Sequence, residues 1–519
     1  MRWFAAAAAV VGIASCAPQI SARPPPFGSF YFPSGIWYQQ FLAADGSSAD
    51  YLYVANANYD KRYDSGSLAA VGLSSVPGLP AIGANLSASA PAQLADLGAD
   101  FAQVFIQSFA GEMGAYVKQT RDRTAQHNCV ADGPIQDCPI RLFVPTRAEG
   151  DLLEVVDALG SSLACLHGGT NCVDPSLSLT SMENTSLGKP RAPEPSGVAV
   201  MSEANCRPHR PDGREAPDDP CDGEVVVTHL KAADSPPKSN NYLETYVVRL
   251  TASNPLIDTS LPPNGSFVSL GYTINGAPLT SSVALGKRYA YLSSRYLSTL
   301  GTMVFALDRQ KLDQANPPLY DSFLEVSYQT LESRGVGIGK NETRLYVAGR
   351  SPDSLVIANI VDSTGDIPVM HVARAIAVPD GPNQVTVIPR QQCAGRLEMA
   401  SVACIAQPGC VARGDLVVVT SSTAGAVSIY DDDAGRLVAQ VNGIGQQPFG
   451  IAVQPNGSCR DPSGRTDRPT QARIFVSNFG DGRIAVVDVD VARPDRATLV
   501  AHLGKSQTCL TEQNDVSCQ

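Results

Sequence analysis

Three arginines occupy matching places along this chain. Arg147 stands three residues after Val144, Arg295 three after Leu292 and Arg350 three after Val347, and each of those aliphatics closes an apolar run. In a fourth run the matching residue is Leu230, with His229 beside it; elsewhere the place is held by Ala57, Ser422 and Phe479. A guanidinium offers five donors in a planar fork, so arginines gathered on one rim would grip a carboxylate, phosphate or sulfated sugar through paired hydrogen bonds. The competing reading is local. Each arginine would pair with an acidic turn residue, such as Glu149 or Asp353, and only fix a loop.

Other chemistry has no matching pattern. There is no G-x-S-x-G nucleophile elbow and no H-E-x-x-H. Gly335-Val336-Gly337-Ile338-Gly339-Lys340 fits neither phosphate-loop spacing and reads as a Gly-rich strand. Asp431-Asp432-Asp433 lacks the alternate ligand spacing of a calcium loop and reads as an exposed acidic turn. The six histidines are isolated. The expectation is therefore no catalytic set, no metal and no cofactor. A net charge of −11 without a Lys/Arg run argues against nucleic acid, whose binding needs phosphate neutralisation.

The thirteen cysteines show no C-x-x-C spacing, which favours disulfides over zinc. Cys129 with Cys138, Cys165 with Cys172, and Cys206 with Cys221 flank short polar loops and are expected to staple them. Cys393, Cys404, Cys410, Cys459, Cys509 and Cys518 leave the pairing open. Cys16 stands apart. It follows a basic start and the apolar run Phe4 to Ile13, too short for a bilayer but right for a signal-peptide core. Ile13-Ala14-Ser15-Cys16 resembles a bacterial lipobox, in which the cysteine is acylated; an ordinary secretory signal is the alternative. That resemblance implies a signal peptide over 1–15, a lipidated Cys16 on a Pro-rich tether over 16–29, and membrane contact through acyl chains alone. Without Asp after Cys16, it implies the outer membrane, facing the periplasm or the exterior.

The elements that must position the arginines repeat seven times. A two-strand unit with a polar turn recurs at 51–73, 141–159, 223–250, 289–308, 344–362, 415–432 and 473–490. β-branched enrichment and period-2 alternation make these antiparallel hairpins. Pro33-Ser34-Gly35-Ile36, Pro195-Ser196-Gly197-Val198 and Pro448-Phe449-Gly450-Ile451 precede three of them and read as inner strands, with Gly where strands crowd an axis. A weaker run such as Ala497 to Val500 often follows. Four strands per unit, repeated, make an all-β fold, a β-propeller of seven blades of four antiparallel strands with loop insertions.

Ile474-Phe475-Val476-Ser477-Asn478, then Asp481-Gly482 and Ala485-Val486-Val487-Asp488, resembles the YVTN-type β-propeller repeat; Tyr53-Val54-Ala55-Asn56 and Tyr346-Val347-Ala348-Gly349 are looser copies. The expected domain spans 30–505, with a tail over 506–519. A helical segment within 74–120, over Ala92 to Phe109, is the main alternative to an uninterrupted propeller. Two functions follow. The first is a lipid-anchored binding or scaffold module for an envelope protein or polysaccharide, with Arg147, His229, Arg295 and Arg350 facing an anionic ligand. The second is a lactonase-like or periplasmic dehydrogenase-like enzyme with its site in the central funnel, which rests on fold analogy.

Overall fold

The computed structural model describes residues 23–42, 48–86, 90–117, 139–148, 150–179, 194–201, 223–230, 233–234, 242–255, 257, 266–274, 280–295, 302–309, 322–339, 341–361, 367–393, 396–400, 410–456 and 470–506. Cys16, Cys129, Cys138, Cys206, Cys221 and the tail beyond 506 lie outside these residues.

All seven hairpins read from the sequence form, and each becomes the middle pair of a blade. Blade 1 runs outward through Pro33–Leu42, Ser48–Asn56, Gly66–Gly72 and Phe101–Ile106, and blade 2 through Gly114–Val117, Ile140–Pro145, Leu153–Leu159 and Ser162–Cys165. Blade 3 is Pro195–Met201, Glu224–His229, Tyr242–Thr251 and Phe267–Ile274; blade 4 is Thr280–Leu285, Tyr289–Ser294, Met303–Asp308 and Ser322–Glu325. Blade 5 is Glu332–Ile338, Arg344–Arg350, Ser354–Ile360 and Met370–Ala377; blade 6 is Pro382–Cys393, Val411–Ser421, Ala426–Asp431 and Arg436–Asn442. Blade 7 is Pro448–Pro455, Gln471–Asn478, Arg483–Asp490 and Arg493–Leu503. The protein is a seven-bladed β-propeller.

The middle strands are buried on both faces, which is why they read as nearly continuous apolar runs. Strand alternation divides each run between two neighbours. Leu416 and Val418 pack toward blade 7, and Val417 and Val419 toward blade 5. Seven clusters of buried side chains fill the seven interfaces, one to each. No blade could bury both its faces alone.

Each blade takes its four strands from one stretch of chain, so no blade is shared between the two ends of the chain. The ring closes by direct packing of blade 1 on blade 7, and the insertion that follows the third strand of blade 1 adds a second tie. There Ala92–Leu94 pairs in parallel with Arg493–Leu503 at the outer edge of blade 7. Gly504 N donates to Leu94 O at 2.8 Å, and Thr498 Oγ1 donates to Leu86 O at 3.0 Å. Gly83 N donates to Asp488 Oδ2 at 2.8 Å, and Arg473 donates to Pro80 O at 2.8 Å. Arg473 and Asp488 also pair with each other, at 2.7 and 3.0 Å, and both are buried. The alternative of a helix over Ala92 to Phe109 is not realised: Ala92–Leu94 and Phe101–Ile106 are strands, separated by Gly98 at φ +85.

Cys165 and Cys172 form the expected disulfide, with Cα atoms 4.8 Å apart, and Cys393 joins Cys410 among the cysteines left open. The Gly-rich run becomes the inner strand Glu332–Ile338, as expected. The triple-Asp turn is not simply exposed. Asp431 is buried and accepts from Arg390 at 2.6 Å and from the N–H groups of Asp433 and Ala434.

Candidate functional site at the ring axis

Each inner strand begins with a register shift against the strand beside it, seen in blades 1, 3, 4, 5, 6 and 7. The residue that ends the shift, just before the regular ladder resumes in blades 1, 3, 5, 6 and 7 and at its first pair in blade 4, marks one equivalent place in each blade. In blades 3, 4, 6 and 7 its N–H is held by a hydroxyl from the second strand: Thr228 to Gly197, Ser293 to Ser282, Thr420 to Gln384 and Ser477 to Gly450. The pairing of Ala110 with Thr146 aligns blade 2 with the rest and puts Glu112 in the same place.

Read round the ring, this place holds Gly35, Glu112, Gly197, Ser282, Gly335, Gln384 and Gly450. Blades 1, 3, 5 and 7 supply glycine because the next blade leaves no room: a Cβ on Gly450 would lie 2.4 Å from Ser34 O, and one on Gly197 2.7 Å from Ser281 O. The intervening blades supply polar side chains, and these meet. Gln384 Nε2 donates to Glu112 Oε1 at 2.5 Å, from blade 6 to blade 2 across the axis. Ser282 of blade 4 and the N–H of Val198 in blade 3 also hydrogen-bond the Glu112 carboxylate. Protein surrounds Glu112, yet part of its side chain remains accessible to solvent. Burial pushes its carboxyl up to about 7, against those three hydrogen bonds.

The arginines stand at the ends of the second strands, Arg350 as the last residue, Arg295 one residue beyond and Arg147 two beyond, on the face where the inner strands start. Arg295 of blade 4 reaches Glu332 of blade 5 at 3.4 Å, and Arg334 meets the same carboxylate at 2.5 Å. Arg350 of blade 5 donates to blade 6, through Nε to Pro382 O at 3.0 Å and through Nη2 to Ser422 Oγ at 2.8 Å. Burial lowers the pKa of Arg147 below the usual guanidinium range; Glu194 of blade 3 counters this and Arg295 adds to it. Burial likewise lowers Arg350, opposed by Glu332 and reinforced by Arg295. Arg295 thus repels both, and lies within electrostatic reach of each. Arg147 Nε is buried with no hydrogen-bond partner.

Blades 1, 2 and 7 complete the mouth with aromatics. Phe479 occupies the arginine position in blade 7, and its ring centroid lies 5.2 Å from Phe32, 5.4 Å from Tyr59 and 6.5 Å from Phe449. Tyr59 also meets Phe109 at 5.4 Å, and Lys61 Nζ lies 5.4 Å from the Phe109 centroid. Tyr59 is 55% exposed; the phenylalanines are half-buried. Tyr59 lies within electrostatic range of Arg147, so the aromatic arc neighbours a cation.

No protein-family model matches the chain, and no curated protein matches it. Solved structures similar to it include hydrazine synthase of Kuenenia stuttgartiensis, at 10% identity and TM-score 0.43 over 91% of this chain and 98% of that one. The periplasmic gluconolactonase PpgL of Pseudomonas aeruginosa matches at 14% identity and TM-score 0.40, over 77% of this chain and 83% of its own. The β-propeller domain of Cps50 (Swd1) from Myceliophteria thermophila matches at 8% identity and TM-score 0.40, over 90% and 98%. These likenesses concern fold alone.

Of the residues singled out in the sequence, Arg295 lies within electrostatic reach of Arg147 and of Arg350. Two of them are held by groups of the following blade rather than by their own turns. His229 is buried at the end of Glu224–His229, and its N–H donates to Thr280 Oγ1 at 3.3 Å. Glu112 carried no sequence signal, because Ala110-Gly111-Glu112 lacks the Pro-x-Gly signature that marks the inner strands of blades 1, 3 and 7. Among the described residues, Cys393, Cys410 and Glu398 bring metal-ligand atoms within 4.8 Å of one another, but the two sulfurs are bonded together.

Proposed function

We propose that this chain is a lipid-anchored binding module of the cell envelope. It seats an anionic group of an envelope polysaccharide or protein in the mouth of the propeller. The observation that carries this reading is the placing of Arg295 within electrostatic reach of both Arg147 and Arg350, a repulsion that an anion would relieve. Acylation of Cys16 would hold the disc at the membrane, and the YVTN-type repeat supplies the rigid frame.

Replacing Arg147, Arg295 and Arg350 by Ala one at a time is expected to weaken binding of carboxylated or sulfated polysaccharide about 10- to 100-fold each, the scale of a lost charged hydrogen bond. Isothermal titration checks this, and unchanged affinity in the triple variant would remove the reading. Cys16→Ser should move the protein from the membrane fraction to the soluble fraction of cells; retention on membranes would refute lipid anchoring.

The axis favours a second reading, an enzyme. A carboxyl held near neutrality beside an anion-binding rim is suited to proton transfer. Glu112→Gln would then abolish turnover of a bound substrate while leaving its affinity intact.

A further inference from the structure

The mouth has two unlike arcs, and a ligand must satisfy both. On one side stand the guanidinia of Arg147, Arg295 and Arg350. On the other stand Phe32, Tyr59, Phe109, Phe449 and Phe479 in one connected set of ring contacts. Simple anions use only the first arc and apolar peptides only the second. We infer that the ligand is an acidic carbohydrate, a uronic-acid glycan whose sugar C–H face lies on the aromatic arc while its carboxylate enters the arginine arc. The inference rests on the anion-binding reading above and names its ligand class.

Three features support this class over other amphipathic anions. The aromatic rings meet edge-on or tilted, at 54 to 83° for the Tyr59 and Phe32 contacts, so no parallel slot receives a flat base. Tyr59, more than half exposed, offers the apolar aromatic surface that a pyranose needs. The chain carries a net charge of −11, which penalises dense polyphosphates more than a ligand with one charge per sugar. The carboxylate is planar and matches the guanidinium fork in bidentate fashion.

The experiment titrates the full-length protein in detergent with hexagalacturonate, its methyl ester, maltohexaose, inorganic polyphosphate and AMP. Hexagalacturonate should bind, methyl esterification should remove binding, and maltohexaose should not bind. Tyr59→Ala should weaken hexagalacturonate at least tenfold while circular dichroism shows the protein still folded, since Tyr59 is more than half exposed; Phe479→Leu should give a smaller loss. If polyphosphate binds as tightly and Tyr59→Ala changes nothing, the sugar assignment is overturned while the anion site stands. Preferential binding of AMP with Tyr59 sensitivity would overturn it in favour of a nucleotide. If none of the anions binds, both this inference and the reading beneath it fall.

Discussion

Asp488→Ala should lower the unfolding free energy by about 3–5 kcal/mol and loosen the ring at one seam, the scale expected when one partner of a buried ion pair is removed. Asp488 is fully buried and accepts two hydrogen bonds from Arg473 and one from the N–H of Gly83. Removing its carboxylate strands the Arg473 guanidinium, which is 3% exposed, and releases the insertion of blade 1 from the face of blade 7. The same change at a surface pair should matter little. Arg493 pairs with Asp490 at 3.2 Å but is 55% exposed, so Arg493→Ala should cost no more than about 1 kcal/mol. Denaturant melts give the energies. Amide exchange over residues 80–94 tests the mechanism, because the insertion should open before the blades do. An Asp488→Ala variant that melts like the native protein would refute this account of ring closure.

Stability should fall as pH rises from about 5 to 8. Burial pushes Glu112 up to about 7, Asp415 up to about 7 and Glu154 up to about 8. Each keeps its proton in the folded state at a pH where the unfolded chain has released it. The folded state therefore binds more protons across this window, and its stability is lost as pH climbs through the raised values. Glu154 is the strongest case: it is 1% exposed and its Oε2 has no hydrogen-bond partner. Its share is about 2–4 kcal/mol, from the shift converted at 1.36 kcal/mol per pH unit and reduced for relaxation. His502 acts with the opposite sign. Burial lowers it to about 4, so acidification from 6.5 downward costs stability. Calorimetry should thus find the highest melting temperature near pH 5–6, and Glu154→Gln should raise the melting temperature at pH 8 far more than at pH 5. A melting temperature that climbs steadily from pH 5 to 8 would show that these carboxyls ionise normally.

The frame was legible because propeller hairpins are buried on both faces. A run such as Leu416-Val417-Val418-Val419 has few other ways to satisfy period-2 packing. That Arg147, Arg295 and Arg350 follow or end second strands was legible for a related reason: aligning strand ends aligns the turns that follow them. Two things were not. Ala92 to Phe109 has helix-forming residues, yet tertiary pairing with blades 1 and 7 overrides that local preference. Glu112 meets Gln384 across 272 residues, and nothing near either in sequence marks the partnership. A side chain whose role is defined by the far side of a ring becomes visible only once the ring is closed.

That closure has a consequence for biogenesis. The first blade emerges from the ribosome hundreds of residues before its seventh-blade neighbour exists, and the latch it carries, Ala92–Leu94, has nothing to grasp until Arg493–Leu503 is made. The last contact to form is therefore also among the longest in sequence, which is the slow kind. Until then the apolar flank of blade 1, with Leu52, Val54 and Val71, faces water. A chain cut short before residue 448 would keep that flank permanently uncovered, making it prey for proteases and chaperones rather than a smaller working disc.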